Sequence, residues 1–287
     1  MEIRTGYRNN EKYRNSFTAL AGKVFGLDLG SWYDNGYWQD DYIPYSVIEG
    51  DSVVSNISVN ICNFKWGHRI HHLAQLGTVM TDSDHRGRGY SRAIMEKVLG
   101  DCDRSFEGVY LYAEEHMTGF YERFGFIRTD EYRCTKKVNI TSKTVAENIP
   151  METKEDWARM VDIIQRKGQY GERVMVNNPG LFMFYISGPF SGSVYYIPSC
   201  EAYVVASAEG DLLTIYAVFC DEKISLGEVI SSFGSGIKRV NMAFMPENNT
   251  GFEQKKIVSE DTILFTRGKA FENMKNERFM FPEISHA

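Results

Sequence analysis

The sequence predicts an α+β chain, with a mixed and mostly antiparallel sheet layered against helices, followed by a second, smaller α/β unit. Three observations predict it. A helical stretch precedes three consecutive strand-like runs in the first half; a glycine- and arginine-rich turn then joins an apolar run to a second helical stretch; and strands and helices alternate again after residue 153. At 287 residues and 43% hydrophobic content, the chain is long enough for two compact domains and has the composition of a globular protein.

Taken in order, residues 10–25 place Tyr13, Phe17, Leu20, Ala21 and Val24 at helical spacing behind a capping Asn10. The aromatic and acidic stretch "SWYDNGYWQDDYIPY" follows, and Pro44 ends any helix there. Residues 45–80 read as three strands, with "EGD" at 49–51 and "WGH" at 66–68 as the turns between them. Beyond "TDSDHRGRGYSR" (residues 81–92) comes a helix from about Tyr90 to Leu99, with Arg92 and Glu96 paired at i,i+4. "GVYLYAEE" alternates as a strand, "MTGFYERFGF" is a short helix closed by Gly125, and "IRTDEYRCTKKV" supplies one last strand.

A polar segment, 136–152, ends in Pro150 and reads as a linker, which gives domains of 1–135 and 153–287. Thr153 and Asp156 form a capping box for a helix striped by Trp157, Met160, Val161 and Ile164. Pro179 opens a second helix, four strands follow ("EAYVVAS", "DLLTIYAVFC", "RVNMAF", "TILFTRG"), and Ser225 with Glu228 caps one more helix.

Composition excludes several classes. The formal charge is −6 and neither half carries a dominant basic face, which argues against nucleic acid as a partner. Five scattered cysteines without a C-x-x-C pair suit a reducing compartment. The N-terminus is too polar for a signal peptide and no apolar run approaches the ~18 residues of a membrane span, so a soluble, cytoplasmic protein with no membrane partner is expected. His68, His71 and His72 have no accompanying carboxylate or cysteine pattern, and residues 71 and 72 point to opposite faces of a strand, so no metal is expected.

The turn carries the chemistry. Strand, glycine-rich turn and helix are the parts with which backbone N–H groups meet a phosphate. No G-K-[ST] follows, and the third glycine of a dinucleotide fingerprint is replaced by Arg92. What remains is Arg86-Gly87-Arg88-Gly89-Tyr90-Ser91, with Tyr121-Glu122-Arg123-Phe124-Gly125-Phe126 after the next strand. These two motifs and the element order over residues 1–135 resemble the Gcn5-related N-acetyltransferases (GNAT), which bind acetyl-coenzyme A; Ser91 departs from the usual glycine or alanine.

The resemblance implies a set of roles. Val79, Met80 and Thr81 would form the strand edge that pairs with the pantetheine arm, the Met80 N–H would stabilise the thioester oxyanion, and residues 87–91 would hold the pyrophosphate. Tyr121 would protonate the departing thiolate. The position where some members carry a glutamate base is Gln75, which cannot take a proton, so either the amine arrives already neutral or the base is elsewhere, at Glu114 or Glu115 or at the chain's end. The apolar residues Phe279, Met280, Phe281 and Ile284 suggest a docked tail, and in loosely similar multidomain acetyltransferases the terminal carboxylate, here Ala287, acts as base.

Trp32, Trp38, Asp40 and Asp41 offer aromatic faces and carboxylates to a cationic acceptor. The second half repeats the order of the first: "NTGFEQ" lies against "MTGFYE", with Glu253 opposite Tyr121, and its turn "DEKISLGE" lacks the basic motif. It is expected to be a degenerate acetyltransferase-like domain that closes the acceptor site, the alternative being a domain that makes a homodimer. The expected function is direct acetyl transfer from acetyl-coenzyme A to a small-molecule or peptide amine; the alternative is a silent acyl-coenzyme A sensor.

Overall fold

The computed structural model describes residues 2–141, 145–221, 224–272, 274 and 277–287. Residues 142–144 of the expected linker and 222–223 of the second turn lie outside the described residues. In chain order the elements of the first half are β1 (Ile3–Thr5), α1 (Glu11–Phe25), α2 (Leu29–Asp34), β2 (Tyr42–Glu49), β3 (Ser52–Trp66), β4 (Arg69–Thr81), α3 (Tyr90–Ser105), β5 (Gly108–Ala113), α4 (Thr118–Glu122), β6 (Ile127–Thr129) and β7 (Tyr132–Lys137). There follow β8 (Glu147–Asn148), α5 (Lys154–Arg166), β9 (Gly168–Gln169), β10 (Arg173–Met175), α6 (Pro179–Ile186), β11 (Val194–Ile197), β12 (Ala202–Glu209), β13 (Leu212–Cys220), α7 (Leu226–Ser231), β14 (Arg239–Met242), β15 (Glu253–Lys256) and β16 (Ile263–Arg267).

Local sequence accounts for most of these elements. Asn10 accepts from the Tyr13 N–H and Gly26 closes α1 in the left-handed region. The Thr153–Asp156 capping box is complete, and Pro179 stands at the start of α6. At α7, Ser225 is the N-cap residue, but its side chain makes no capping hydrogen bond, so the expected box there does not form. Pro44 lies inside β2 rather than ending a helix, and "NTGF" leads directly into β15, so Glu253 sits on a strand where Tyr121 sits on a helix.

The strands form two mixed sheets of equivalent order, β1-β2-β3-β4-β5-β16-β6 and β8-β11-β12-β13-β14-β7-β15. Each has one parallel pair at its centre, β4 with β5 and β13 with β14. The position beside that pair is filled from the other half. "IRTDEYRCTKKV" is therefore two strands: β6 stays in the first sheet, while β7 crosses into the second between β14 and β15, and β16 returns to lie between β5 and β6. β8, inside the stretch that reads as a linker, pairs with β11 as an edge strand. A polar composition is as compatible with an exposed edge as with a linker, which is why sequence does not separate the two.

The residues after α5 brace the halves. β9 pairs with β13 of the second sheet, and four residues on β10 pairs with β3 of the first. The largest apolar cluster lies between the sheets and joins Phe64 and Tyr110 to Phe182, Phe219, Phe279 and Phe281. Among the described residues no helix is long and apolar enough to cross a membrane.

Candidate functional site

The site begins at an irregularity in β4. Its pairing with β3 shifts register between Asn56 and Ser58, and Thr78 takes φ +44°, a conformation that β-branched residues adopt only when surroundings enforce it. The enforcement is a buried polar network. Asn56 Nδ2 donates to the Thr78 carbonyl (3.0 Å), Thr78 Oγ1 donates to Ser58 Oγ (2.7 Å), and the Tyr42 hydroxyl lies 2.6 Å from Thr78 Oγ1. Behind Asn56, Ser46 and Tyr7 continue the chain. Asn56, Ser58 and Asn60 are polar at alternate positions of β3 and fully buried, and that polar alternation was the available sequence signal.

The bulge separates the central strands. β4 and β5 pair from Leu73–Gly108 to Leu76–Leu111 and then diverge, which leaves the Gly77–Thr81 side of β4 unpaired by β5. Into this opening faces the turn. Gly87 and Gly89 have φ +75° and +80°, and a Cβ built on either meets nothing within 4 Å. Gly89 is the N-cap of α3 and supplies no capping side chain, so the first N–H groups of that 16-residue helix are left for another acceptor.

Side chains hold the turn in place. Ser91 Oγ lies 2.8 Å from Thr81 Oγ1, which is itself 2.7 Å from Ser55 Oγ, so the irregular Ser91 ties the helix start to β4. Arg88 donates to the Asp84 carbonyl (3.0 Å), and the Tyr90 hydroxyl donates to Glu49. That bond, with Arg88 and His85 nearby, keeps the Glu49 carboxyl below its ordinary range. Lys23, in the last turn of α1, pairs with Asp82 at 2.7 Å and draws its carboxyl down to about 2. Arg92 pairs with Glu96 at 3.0 Å, as the helical spacing predicts.

The opposite wall carries Tyr121. It is 3% exposed, and burial pushes its hydroxyl up to about 12. It packs on Phe126 and on Phe265, the latter delivered by β16 from the second half. Glu114 is exposed and pairs with His116 at 3.0 Å; Glu115 pairs with Arg128 at 2.7 Å, away from the opening.

The floor is the tail. Phe279, Met280, Phe281 and Ile284 are at most 1% exposed, Tyr132 N–H bonds the Phe279 carbonyl at 2.8 Å, and the Tyr185 hydroxyl bonds the His286 carbonyl at 2.7 Å. Docked this way, the tail brings the Ala287 carbonyl oxygen and carbon within 2.8 and 2.9 Å of where a Gly77 Cβ would stand. Gly77→Ala is therefore expected to displace Ala287 from β4, visible as loss of the native contact in a crystal structure and as a lowered thermal midpoint.

Two adjoining clefts result. One, about 500 Å3, is lined by Val79, Met80, Thr81 and the whole Arg86–Arg92 turn. The other, about 530 Å3, is lined by Gly77, Thr78, Tyr112, Glu114, Tyr121, Asp261 and Ala287. Val79, Arg86, His116 and Met117 belong to both, so the two form one trough.

Nearly all of the expected site residues are brought together here; the aromatic and acidic group is not. Trp32 and Trp38 are buried and stacked 6.0 Å apart, their indole N–H groups bonded to the Gly180 and Tyr42 carbonyls. Asp40 pairs with Arg8, and Asp41 accepts from Asn177. None of the four lines either cleft. Apolar aromatic surface at this density was sequestered in the core around Phe17, which is what the hydrophobic effect favours for it. Asp261, which sequence reasoning missed, reaches the cleft only because β16 crosses over. His71 and His72 bond Glu107 and Asn63.

Residues 10–128 match the family model of the acetyltransferase (GNAT) domain. The first half of the chain is a GNAT acetyltransferase domain. Solved structures with a similar fold include a GCN5-related N-acetyltransferase from Kribbella flavida, 16% identical with TM-score 0.57, the match covering 93% of this chain and 71% of that one. Eis1 from Mycobacterium abscessus is 14% identical with TM-score 0.56, covering 92% and 73%. A conserved protein of unknown function from Enterococcus faecalis V583 is 12% identical with TM-score 0.59, covering 96% and 74%. At these identities the likeness is one of fold, and it extends over both halves. No curated protein matches. The matched stretch, residues 10–128, supports acyl transfer in general, and its trough lies where the bulged β4, the turn and α4 meet.

Proposed function

We propose that the protein moves an acetyl group from acetyl-coenzyme A to a primary amine of a small molecule or peptide, by direct transfer. The observation that carries this reading is the trough itself, in which an uncapped helix N-terminus, an unpaired strand edge and a buried tyrosine adjoin. The residues fit the coenzyme. Open space at Gly87 and Gly89 lets backbone N–H groups of residues 87–91 approach a pyrophosphate, and Arg86 and Arg88 make the turn locally positive in an acidic chain. Bound there, the coenzyme supplies an acetyl thioester.

The chain's own residues supply the rest. Val79 to Thr81 would pair with the pantetheine arm, and the Met80 N–H would donate where negative charge develops on the thioester oxygen. Tyr121 stays protonated at neutral pH, so its hydroxyl can give a proton to the departing sulfur. Glu114, Asp261 and the Ala287 oxygen line the acceptor side and would hold a cationic amine there. The degenerate second half closes this side, contributing Asp261, Phe265 and the tail.

Gln75, fully buried and bonded to the Tyr110 hydroxyl at 3.3 Å, favours the second reading of a silent acyl-coenzyme A sensor, since it can take no proton. Coenzyme A release with a panel of primary amines separates the two; calorimetric binding without turnover of any amine overturns the enzyme reading. Tyr121→Phe is expected to lower kcat roughly 100-fold while the acetyl-coenzyme A Kd is unchanged. An unchanged kcat removes Tyr121 as the acid.

A further inference from the structure

Glu131 lies where the chain crosses from the first sheet to the second, and it is 8% exposed. Its Oε1 accepts the Phe281 N–H at 2.8 Å and the Tyr112 hydroxyl at 3.1 Å. An amide in its place would satisfy the same two donors without the cost of burying an ionisable group. Tyr112 connects this carboxylate to the trough. It stands on β5 where that strand has left β4, lines the acceptor cleft beside Gly77, Tyr121 and Ala287, and stacks on the His286 ring with centroids 3.8 Å apart. One residue, Tyr112, thus stands between Glu131 and the cleft.

We propose that Glu131 accepts, through the Tyr112 hydroxyl, the proton that the attacking amine gives up. The inference rests on the acyl-transfer reading above. The bound ammonium first gives one proton to solvent; the amine lone pair so freed forms the N–C bond to the thioester carbon as the C–S bond breaks, and the sulfur takes its proton from Tyr121. The surplus N–H proton passes to the Tyr112 oxygen while Tyr112 passes its own hydroxyl proton to Glu131. Glu131 then loses that proton, and Tyr121 regains one, by exchange with solvent. Proton count and charge are conserved, and no other reactant is needed.

The surroundings suit the task. Burial pushes the Glu131 carboxyl up to about 7, with Glu283 adding to the rise and the Phe281 N–H, Tyr112 and Arg133 opposing it. A carboxylate raised to that range is a far stronger base than one at its ordinary value, and about half of the population is still ionised at neutral pH. The titratable and charged groups that face it are Tyr110 and Tyr112 from β5, Arg133 from β7 and Glu283 from the tail. His286 does not compete, because burial draws its ring down to about 3. Gln75 cannot take the proton, and Glu114 is a solvated partner of His116.

The sign of the linkage gives a readout independent of catalysis. A carboxyl whose folded pKa is raised contributes stability that is fully present below its ordinary range and is lost as pH rises through about 7. Glu131→Gln removes that loss. The variant is expected to melt above the wild type at pH 8, with the difference shrinking toward zero at pH 4.

The experiment compares wild type, Glu131→Gln, Tyr112→Phe and the double variant in kcat/KM against pH, with acetyl-coenzyme A and whichever primary amine of the panel the wild type acetylates. The wild-type rate is expected to rise through an apparent pKa near 7. Each single variant is expected to lose roughly 100-fold and the near-neutral limb, the double variant to lose no more than either, and acetyl-coenzyme A affinity to stay unchanged. Wild-type rates in Glu131→Gln, or a lowered rate that keeps the same limb, overturn the relay and leave Glu131 a packing residue. Wild type that turns over no amine overturns the acyl-transfer reading and the relay together, whereas turnover unaffected by either variant overturns the relay alone.

Discussion

Residues 1–135 expressed alone are expected to be recovered aggregated, without acetyl-coenzyme A binding. In the whole chain β16 pairs with β5 from Ile263–Ala113 to Arg267–Val109 and with β6 from Leu264–Thr129 to Thr266–Ile127. Removing it turns β5 from a central strand into an apolar edge and leaves β6 without a partner. Phe265, fully buried against Leu111, Tyr121 and Phe126, is lost as well, at about 2 kcal/mol for its burial alone. An unpaired edge carrying Val109 and Leu111 is a template for association between chains. Solubility and size-exclusion behaviour of the fragment check this. A monodisperse fragment that binds acetyl-coenzyme A would show that the crossing strand is dispensable. Co-expression with residues 136–287 is not expected to rescue it fully, because β7 would then be severed from the second sheet.

Gly89→Glu is expected to abolish acetyl-coenzyme A binding with a small effect on folding. At φ +80° a side chain costs about 1 kcal/mol, and since a Cβ there meets nothing within 4 Å, the fold has room for it. The binding surface has not. The new carboxylate would reach the first N–H groups of α3 and satisfy them intramolecularly, while its charge opposes a pyrophosphate at the same place. A loss of at least ~1000-fold in affinity by calorimetry is the expected result. Retained micromolar affinity would show that the turn is not the pyrophosphate site.

The turn was legible in sequence because it is local. Glycine at positive φ, an uncapped helix start and arginines in a row act over fewer than ten residues, and Gly87 and Gly89 have the conformation that the motif requires. The same holds for the Asn10, Gly26 and Thr153 caps. The tail's apolar residues also announced their own burial. The tryptophans were misread because an aromatic residue near an expected acceptor side looks the same in sequence whether it faces a ligand or packs on Phe17; only neighbours distant in sequence decide.

Sequence by itself determined the longer helices and strands, the glycine- and arginine-rich turn between β4 and α3, the tyrosine after β5 and the absence of the basic motif in the second half. Those features are set by backbone conformational preference and side-chain periodicity, which act between near neighbours. The tertiary structure alone decided the exchange of β7 and β16, the bulge at Thr78, and the convergence of Asp261, Ala287 and the Glu131–Tyr112 pair on one trough. A strand of five or six residues, such as YRCTKK or ILFTR, carries too short a pattern to specify one sheet over the other, and its partner is chosen by whichever central edge it can reach and cover. That choice, made between residues more than a hundred positions apart, is what brings Asp261 of the second half into the trough.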